Sequence, residues 1–188
     1  MKLMIDLETL GTSNKAHVLS LGVAFFDNEK VHRSAHMLIS PEGQEERERS
    51  YSTVMWWLKQ ASENPEAAKG VTEGERLAVA NALWSLSRMI TEHQPTEVWA
   101  NSPTFDCAIL RDLYGQFALD TPWPFWAERD FRTLKSLTGG IVPAFEGVQH
   151  NAEADAVYQA KCVIHLLSGQ RHMEKVFREV NPGMAEAR

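Results

Sequence analysis

The chain has 188 residues, of which 44% are hydrophobic, and its formal net charge at pH 7 is -6. This length and apolar content suit one compact domain with a sizeable core, and no apolar run approaches the ~18 residues that a membrane helix requires. The negative charge argues against a protein that coats long nucleic acids, since such binding depends on Lys and Arg neutralising phosphates, but it does not exclude an enzyme that grips only a strand end.

We therefore expect a single domain over residues 1–180, a C-terminal tail at 181–188, a cytoplasmic location and no membrane partner. The two cysteines, Cys107 and Cys162, lack the spacing of a metal site and are too few for a disulfide framework. We expect both to be buried free thiols, which suits a reducing compartment.

Three β-strands are predicted in the first 40 residues. An apolar run from Leu3 to Leu7 is followed by a second run over residues 17–26, and residues 31–40 alternate between apolar and polar side chains. The short connections between them predict an antiparallel meander. The charged run that follows, residues 42–50, is typical of a solvated loop or a helix start.

Helical spacing dominates from there to the middle of the chain. Thr72 and Glu75 form a capping-box pattern, which predicts a helix that begins there and ends before Pro95. The run at residues 97–100 then predicts a buried strand.

Two more helices are predicted in the second half of the chain. Thr104 is a candidate N-cap for a helix that ends near Tyr114, and Asn151 is a candidate N-cap for a helix that ends near Leu167. Strands first, then helices interleaved with strands, predict an α/β fold whose mixed sheet combines the antiparallel meander with parallel strands and is flanked by helices.

Acidic side chains stand at the ends of these predicted elements. Asp6 and Glu8 lie two residues apart on the first strand, so both project from one face, about 6.6 Å apart along the backbone. Asp106 and Asp155 each fall in the first turn of a predicted helix, where the helix dipole favours an ionised carboxylate. Taken singly, each of these two is better explained as a helix-start acid than as a metal ligand. Gathered together, all four would repel one another unless divalent cations held them.

Three separated motifs carry a resemblance to a known group of enzymes. They are "DLET" at residues 6–9, Phe105-Asp106 at the start of a helix, and His150 five residues before Asp155. In this order they resemble the DEDD exonuclease superfamily, in its histidine-bearing (DEDDh) branch. Residues 56–60 and 129–134 look most like the phage and bacterial exoribonuclease-type members.

The resemblance implies a ribonuclease-H-like fold and a 3′–5′ exonuclease that hydrolyses phosphodiester bonds at single-stranded RNA or DNA 3′ ends, releasing nucleoside 5′-monophosphates. It implies that two Mg²⁺ or Mn²⁺ ions are bound by Asp6, Glu8, Asp106 and Asp155. The catalytic residues implied are Glu8 and His150, the latter as general base, and a histidine is suited to accept a proton near neutral pH. Family members are often homodimers, so a homodimer is expected.

Residues that contact the strand end are less clearly marked. By resemblance, Thr9, Leu10 and Gly11 lie against the terminal nucleotide. Trp57 can stack on a base or belong to the core. Asn101 is a further candidate, although it stands further from Phe105 than the corresponding residue does in many relatives.

Several alternatives stay open at this point. Arg132 and Lys135 can meet phosphates or merely cover the surface, and Ala154 stands where many relatives have a second acid. A nuclease of the ribonuclease H and integrase type would share the fold but would not predict the spacing of His150 and Asp155. A catalytically inactive nucleic-acid-binding module would be marked by the loss of one acid, and all four are present. The preference between RNA and DNA is not encoded in these motifs, because the two substrates share the scissile group.

Overall fold

A computed structural model describes residues 1–180, except for the side chains of 174–178 and 180; the predicted tail at 181–188 lies outside the described residues. One sheet is formed by β1 (Lys2–Thr9), β2 (Val18–Phe26), β3 (Val31–Ile39), β4 (Arg76–Leu77), β5 (Glu97–Ala100) and β6 (Glu128–Asp130). The strand order is β4-β3-β2-β1-β5-β6. The first three strands are antiparallel neighbours, whereas β5 is parallel to β1, β6 to β5 and β4 to β3. The predicted meander and mixed sheet are confirmed.

Helices cover both faces of this sheet. They are α1 (Tyr51–Glu63), α2 (Pro65–Thr72), α3 (Val79–His93), α4 (Asp106–Gln116), α5 (Phe131–Leu137) and α6 (Ala152–Val180), with a short 3-10 turn at Phe125–Ala127. No helix in the described part of the chain is long and apolar enough to cross a membrane.

The alternation of β1 divides the core into two layers. Leu3, Ile5 and Leu7 pack on one face with apolar residues of α3 and α4, while Met4 packs on the other face with α6. Because residues two apart on a strand share a face, Asp6 and Glu8 continue the Met4 row and project on the side that α6 covers. The acids of β1 therefore lie where the last helix begins.

The predicted helix start at Thr72 is wrong. Thr72 is the last residue of α2, and its hydroxyl donates a hydrogen bond back to the Ala68 carbonyl. Gly74 then adopts a φ of 123°, and Leu77 pairs with Ile39 in the parallel strand β4. Sheet pairing overrides the local capping pattern there, so α3 starts only at Val79.

The two other predicted N-caps have opposite outcomes. Thr104 is not a cap: α4 begins at Asp106, whose backbone N–H donates to the Ser102 carbonyl. Asn151 is confirmed as a cap, because its side-chain oxygen accepts the Ala154 N–H at 3.1 Å, although α6 continues well past the predicted end near Leu167.

The charged segment at residues 42–50 is a loop, but it is not simply solvated. Gln44 is 1% exposed and exchanges two hydrogen bonds with the backbone of Val18. Arg47 is 7% exposed and forms an ion pair with Asp112 of α4 at 2.7 Å. The loop therefore ties the β1–β2 connection to α4, which the charge pattern did not indicate. The expectation of buried free thiols is confirmed for both cysteines.

A glycine allows α6 to begin close to the sheet. Gly22 of β2 pairs directly with Asp6 of β1. A Cβ atom at this position would lie 2.0 Å from the backbone carbon and oxygen of Ala152, the first residue of α6. Because backbone cannot yield as a flexible side chain can, only glycine permits this approach, and the approach places the first turn of α6 over the acids of β1.

We predict that Gly22→Ala displaces the first turn of α6, lowers the free energy of unfolding by about 1–3 kcal/mol, as overpacking usually does, and sharply reduces activity. Urea unfolding and a turnover assay would measure both. Gly169→Ala is the matched control, because a Cβ at Gly169 of the same helix meets nothing within 4 Å. A Gly22→Ala variant with the stability and activity of the parent would contradict this account of the helix approach.

Candidate active site

A cleft of about 540 Å³ opens where β1 and β5 end. Its walls bring together acids from three separate elements, with Asp6 and Glu8 from β1, Asp106 from α4 and Asp155 from α6. His150 lines the same cleft. The structure therefore gathers all five residues that the motifs single out.

Asp106 is held by a backbone group that the sheet leaves free. The pairing of β5 with β1 ends at Ala100 and Ile5, so the Leu7 N–H lies beyond the last residue of β5. The Oδ1 atom of Asp106 accepts this N–H at 3.1 Å. The short length of β5 thus creates the donor that fixes the carboxylate, which is 5% exposed.

Asp6 is held from α6 by a residue that the motifs did not identify. Gln159 donates from Nε2 to Oδ1 of Asp6 at 2.7 Å and is itself 7% exposed. Asp155 and Gln159 are four residues apart, a spacing that places both on one face of a helix. That spacing is the only sequence signal for Gln159, and it gains meaning only once Asp155 is known to face β1.

His150 sits in a strained position beside these acids. Its φ of 65° is left-handed, and its backbone N–H donates to Oδ2 of Asp155 at 2.8 Å. Its ring meets the edge of Trp56 with centroids 4.8 Å apart. A ring nitrogen of His150 and carboxylate oxygens of Glu8 and Asp155 lie within 4.8 Å of one another. Trp56 was also not assigned to the site from sequence.

The surroundings raise the pKa of every carboxyl group in the cluster. Burial is the largest cause for all four. It raises the pKa of Glu8 from 4.5 to about 8, with added repulsion from Asp155 and Asp106. The pKa of Asp106 rises from 3.8 to about 7, against the opposing effect of the Leu7 N–H. Ionising the whole cluster is therefore costly for the protein by itself.

This donor set fits hard divalent cations. Mg²⁺ and Mn²⁺ prefer oxygen ligands, and four carboxylates with raised pKa values gain most from a neighbouring positive charge. Two buried oxygens beside the cluster have no hydrogen-bond partner among the described residues, Oε1 of Gln159 and Oγ of Ser20, which pairs with Glu8 in the sheet. Arg132 is the basic side chain that lines the cleft besides His150.

The residues predicted to hold a terminal nucleotide lie at the end of β1. Leu10 is half-buried, while Thr9 and Gly11 are buried. The Thr9 hydroxyl donates to the Gly11 carbonyl, and the Thr9 carbonyl accepts the indole N–H of Trp57 at 2.9 Å. Trp57 is 8% exposed, which favours the core alternative over a stacking platform.

Two of the open assignments fall at the cleft and one does not. Asn101, just after β5, lines the cleft, and so does Arg132 at the start of α5. Lys135 lies in the last turn of α5 with an exposed side chain.

Comparisons with known proteins agree with this geometry. The family model of the 3′–5′ exoribonuclease Rv2179c-like domain matches residues 1–167. The exodeoxyribonuclease of Enterobacteria phage T4 is 29% identical over 158 residues, covering 69% of this chain and 68% of the phage protein.

Two solved structures share the fold. The nuclease domain of 3′hExo, a DEDDh family member bound to rAMP, has a TM-score of 0.61 at 11% identity, over 89% of this chain and 92% of that one. Exonuclease X in complex with 5′-overhanging duplex DNA has a TM-score of 0.50 at 16% identity, over 89% of each chain.

The raised pKa values predict a pH dependence of stability. At a pH between the ordinary and the raised pKa of Glu8 or Asp106, the folded protein binds more protons than the unfolded chain. The stability is therefore greatest below the ordinary pKa values and falls as the pH rises to the raised values of about 7 and 8. The thermal midpoint of metal-free protein should therefore fall between pH 5 and about pH 8.5, and Mg²⁺ should restore it most at the high end.

Asp106→Asn, which keeps an acceptor for Leu7, should raise the metal-free midpoint at high pH and flatten the slope. Asp120→Asn is the control, because Asp120 is exposed. Scanning calorimetry with EDTA or Mg²⁺ measures both effects, and a midpoint that is independent of pH would contradict the burial of charge in the cleft.

Proposed function

Because this chain belongs to the Rv2179c-like 3′–5′ exoribonuclease family, among the DEDDh exonucleases, we propose that it removes nucleotides from the 3′ ends of single-stranded RNA or DNA and releases nucleoside 5′-monophosphates. The chain is a 3′–5′ exonuclease. The substrate end that it attacks, the metals that it binds and the roles of its site residues are proposed here. The observation that supports it best is the convergence of carboxylates from β1, α4 and α6 in one cleft.

We propose that two Mg²⁺ or Mn²⁺ ions are held by Asp6, Glu8, Asp106 and Asp155. When bound, such ions supply the positive charge that stabilises attack on the phosphate and departure of the 3′ oxygen. The protein fixes three of the carboxylates with hydrogen bonds, whose donors are Leu7, Gln159 and His150. Fixed oxygens lose little freedom when cations bind, which favours binding.

His150 is proposed as the general base that accepts a proton from the attacking water. Its ring already lies beside Glu8 and Asp155, on the cleft side of the loop before α6. The bond from its backbone to Asp155 and the edge contact with Trp56 hold the ring there. Arg132, on the opposite element α5, is proposed to contact a phosphate, since its guanidinium is suited to paired phosphate oxygens.

The strand end is proposed to meet Leu10. Its side chain is half-buried while its neighbours Thr9 and Gly11 are fixed, the former by Trp57 and the latter by close packing against Glu48. A rigid backbone with one accessible apolar side chain suits contact with a terminal base. Asn101 is proposed as a further polar contact from the β5 side of the cleft.

Both RNA and DNA are proposed as substrates. The matching family model describes an exoribonuclease, whereas the phage relative is named an exodeoxyribonuclease. We also propose that the protein acts as a homodimer and in the cytoplasm. A ribonuclease H or integrase type of reaction has no support from the matching family, and an inactive binding module has none from a chain that keeps all four acids.

The direction of attack can be tested with matched oligonucleotides. In Mg²⁺, a 5′-labelled linear single strand should yield a ladder of progressively shorter products, while a circular strand of the same sequence should stay intact. A 3′-phosphorylated strand should be cut more slowly, because the proposed contacts of Leu10, Thr9 and Gly11 are with a terminal nucleotide whose 3′ hydroxyl is free. RNA and DNA versions in parallel give the sugar preference. Efficient cutting of the circle would rule out the exonuclease proposal for this cleft.

The role of His150 can be separated from that of the carboxylates. His150→Ala should lower single-turnover rates by about 10²–10⁴-fold, the range for one general acid–base group, while Mg²⁺ affinity measured by calorimetry changes little. His150→Asn is a companion variant that tolerates the left-handed backbone, and His172→Ala, in the exposed part of α6, is the control. A variant without the imidazole that cuts as fast as the parent would remove His150 from this role.

A further inference from the structure

One corner of the cleft offers a mixed set of ligands. The ring nitrogen of His150 and the carboxylate oxygens of Glu8 and Asp155 lie within 4.8 Å of one another. Ligands of a single zinc ion, each about 2.0–2.2 Å from it, lie about 3–4 Å from each other. A closure of about 1 Å in flexible side chains would therefore bring these three atoms around one ion.

We propose that Glu8, His150 and Asp155 form a binding site for a divalent transition metal such as Zn²⁺, distinct in its ligands from the set of four carboxylates. Hard ions such as Mg²⁺ favour oxygen ligands only, whereas an imidazole nitrogen favours zinc and its neighbours in the transition series. The proposal rests on the proposed function because both sites share Glu8 and Asp155.

The histidine in this site is already positioned. The backbone N–H of His150 is bonded to one oxygen of Asp155, and the ring is packed edge-on against Trp56 at 4.8 Å. The first contact ties one ligand to another, and the second limits rotation of the ring. Because less conformational freedom is lost on binding, a histidine held in this way binds a metal more favourably than a histidine that must first move into the site.

A second observation points to a ligand in the same cleft. Gln159 lines the cleft, is 7% exposed, and uses its amide nitrogen on Asp6, while its Oε1 atom has no partner among the described residues. A buried amide oxygen without a donor is costly. A cation in the cleft, or a water bound beside one, would satisfy it.

Occupation of this site has a consequence for catalysis. A nitrogen lone pair that binds a metal cannot also accept a proton, and Glu8 and Asp155 are no longer free for hard ions. Zn²⁺ should therefore inhibit the Mg²⁺-dependent enzyme, and a chelator that prefers Zn²⁺ should restore activity.

The test is isothermal titration calorimetry of the metal-free protein. Zn²⁺ alone is titrated in one experiment and Mg²⁺ alone in a parallel one. For the parent we expect one Zn²⁺ site that is weakened about tenfold or more in His150→Ala and His150→Asn, with Mg²⁺ binding unchanged in both variants. The second variant covers the case in which alanine disturbs the left-handed backbone at this position. Zn²⁺ binding of equal strength in parent and variants would overturn the proposal.

The control is His32→Ala, since His32 is a surface histidine paired with a carboxylate, Asp27, at 2.7 Å. It should leave Zn²⁺ binding unchanged; an effect as large as that of the His150 variants would assign the ion to the surface and overturn the proposal. The outcomes also separate the two claims. Zn²⁺ binding that depends on His150, in a protein without Mg²⁺-dependent cleavage of 3′ ends, would support this site and refute the proposed function.

Discussion

The crowding of four carboxylates into one partly buried cleft is the constraint on which the rest of the site depends. Asp6, Glu8, Asp106 and Asp155 share one cleft, and burial, joined at Asp6 and Glu8 by the charge of the other acids, raises the pKa of each. A fold shaped by stability alone would keep such groups apart, since unpaired buried charge is among the most unfavourable arrangements. Their presence is explained if positive ions complete the cluster, and the remaining structure holds the acids in place until ions arrive.

The carboxylates are held in place by backbone geometry and by one side-chain amide, that of Gln159. The early end of β5 leaves the Leu7 N–H for Asp106, and Gln159 reaches from α6 to Asp6. Gly22 lets α6 begin against the sheet, which brings Asp155 to β1. Each device is a property of the packed sheet and helices, so the chemistry of the cleft and the stability of the fold are linked through the same contacts.

The sequence motifs identify the acids but not the residues that support them. The spacing of two in a strand is enough to place Asp6 and Glu8 on one face, and the motif order is enough to join them to Asp106 and Asp155. By contrast, the only local signal for Gln159 is its spacing of four from Asp155, and that spacing does not point to its partner Asp6, which lies 153 positions away in the chain. Local patterns also fail where tertiary pairing competes with them. Thr72 and Glu75 have the pattern of a helix start, yet pairing of β4 with β3 places the helix boundary at Val79.

We propose that the four carboxylates hold metal ions. The most direct test is a crystal structure with Mn²⁺ and a nucleoside 5′-monophosphate, with anomalous scattering used to locate the metal. We predict two anomalous peaks about 3.5–4 Å apart, within bonding distance of Asp6, Glu8, Asp106 and Asp155. A cleft without a peak near Asp6 and Asp106, in crystals where the nucleotide is bound, would contradict it.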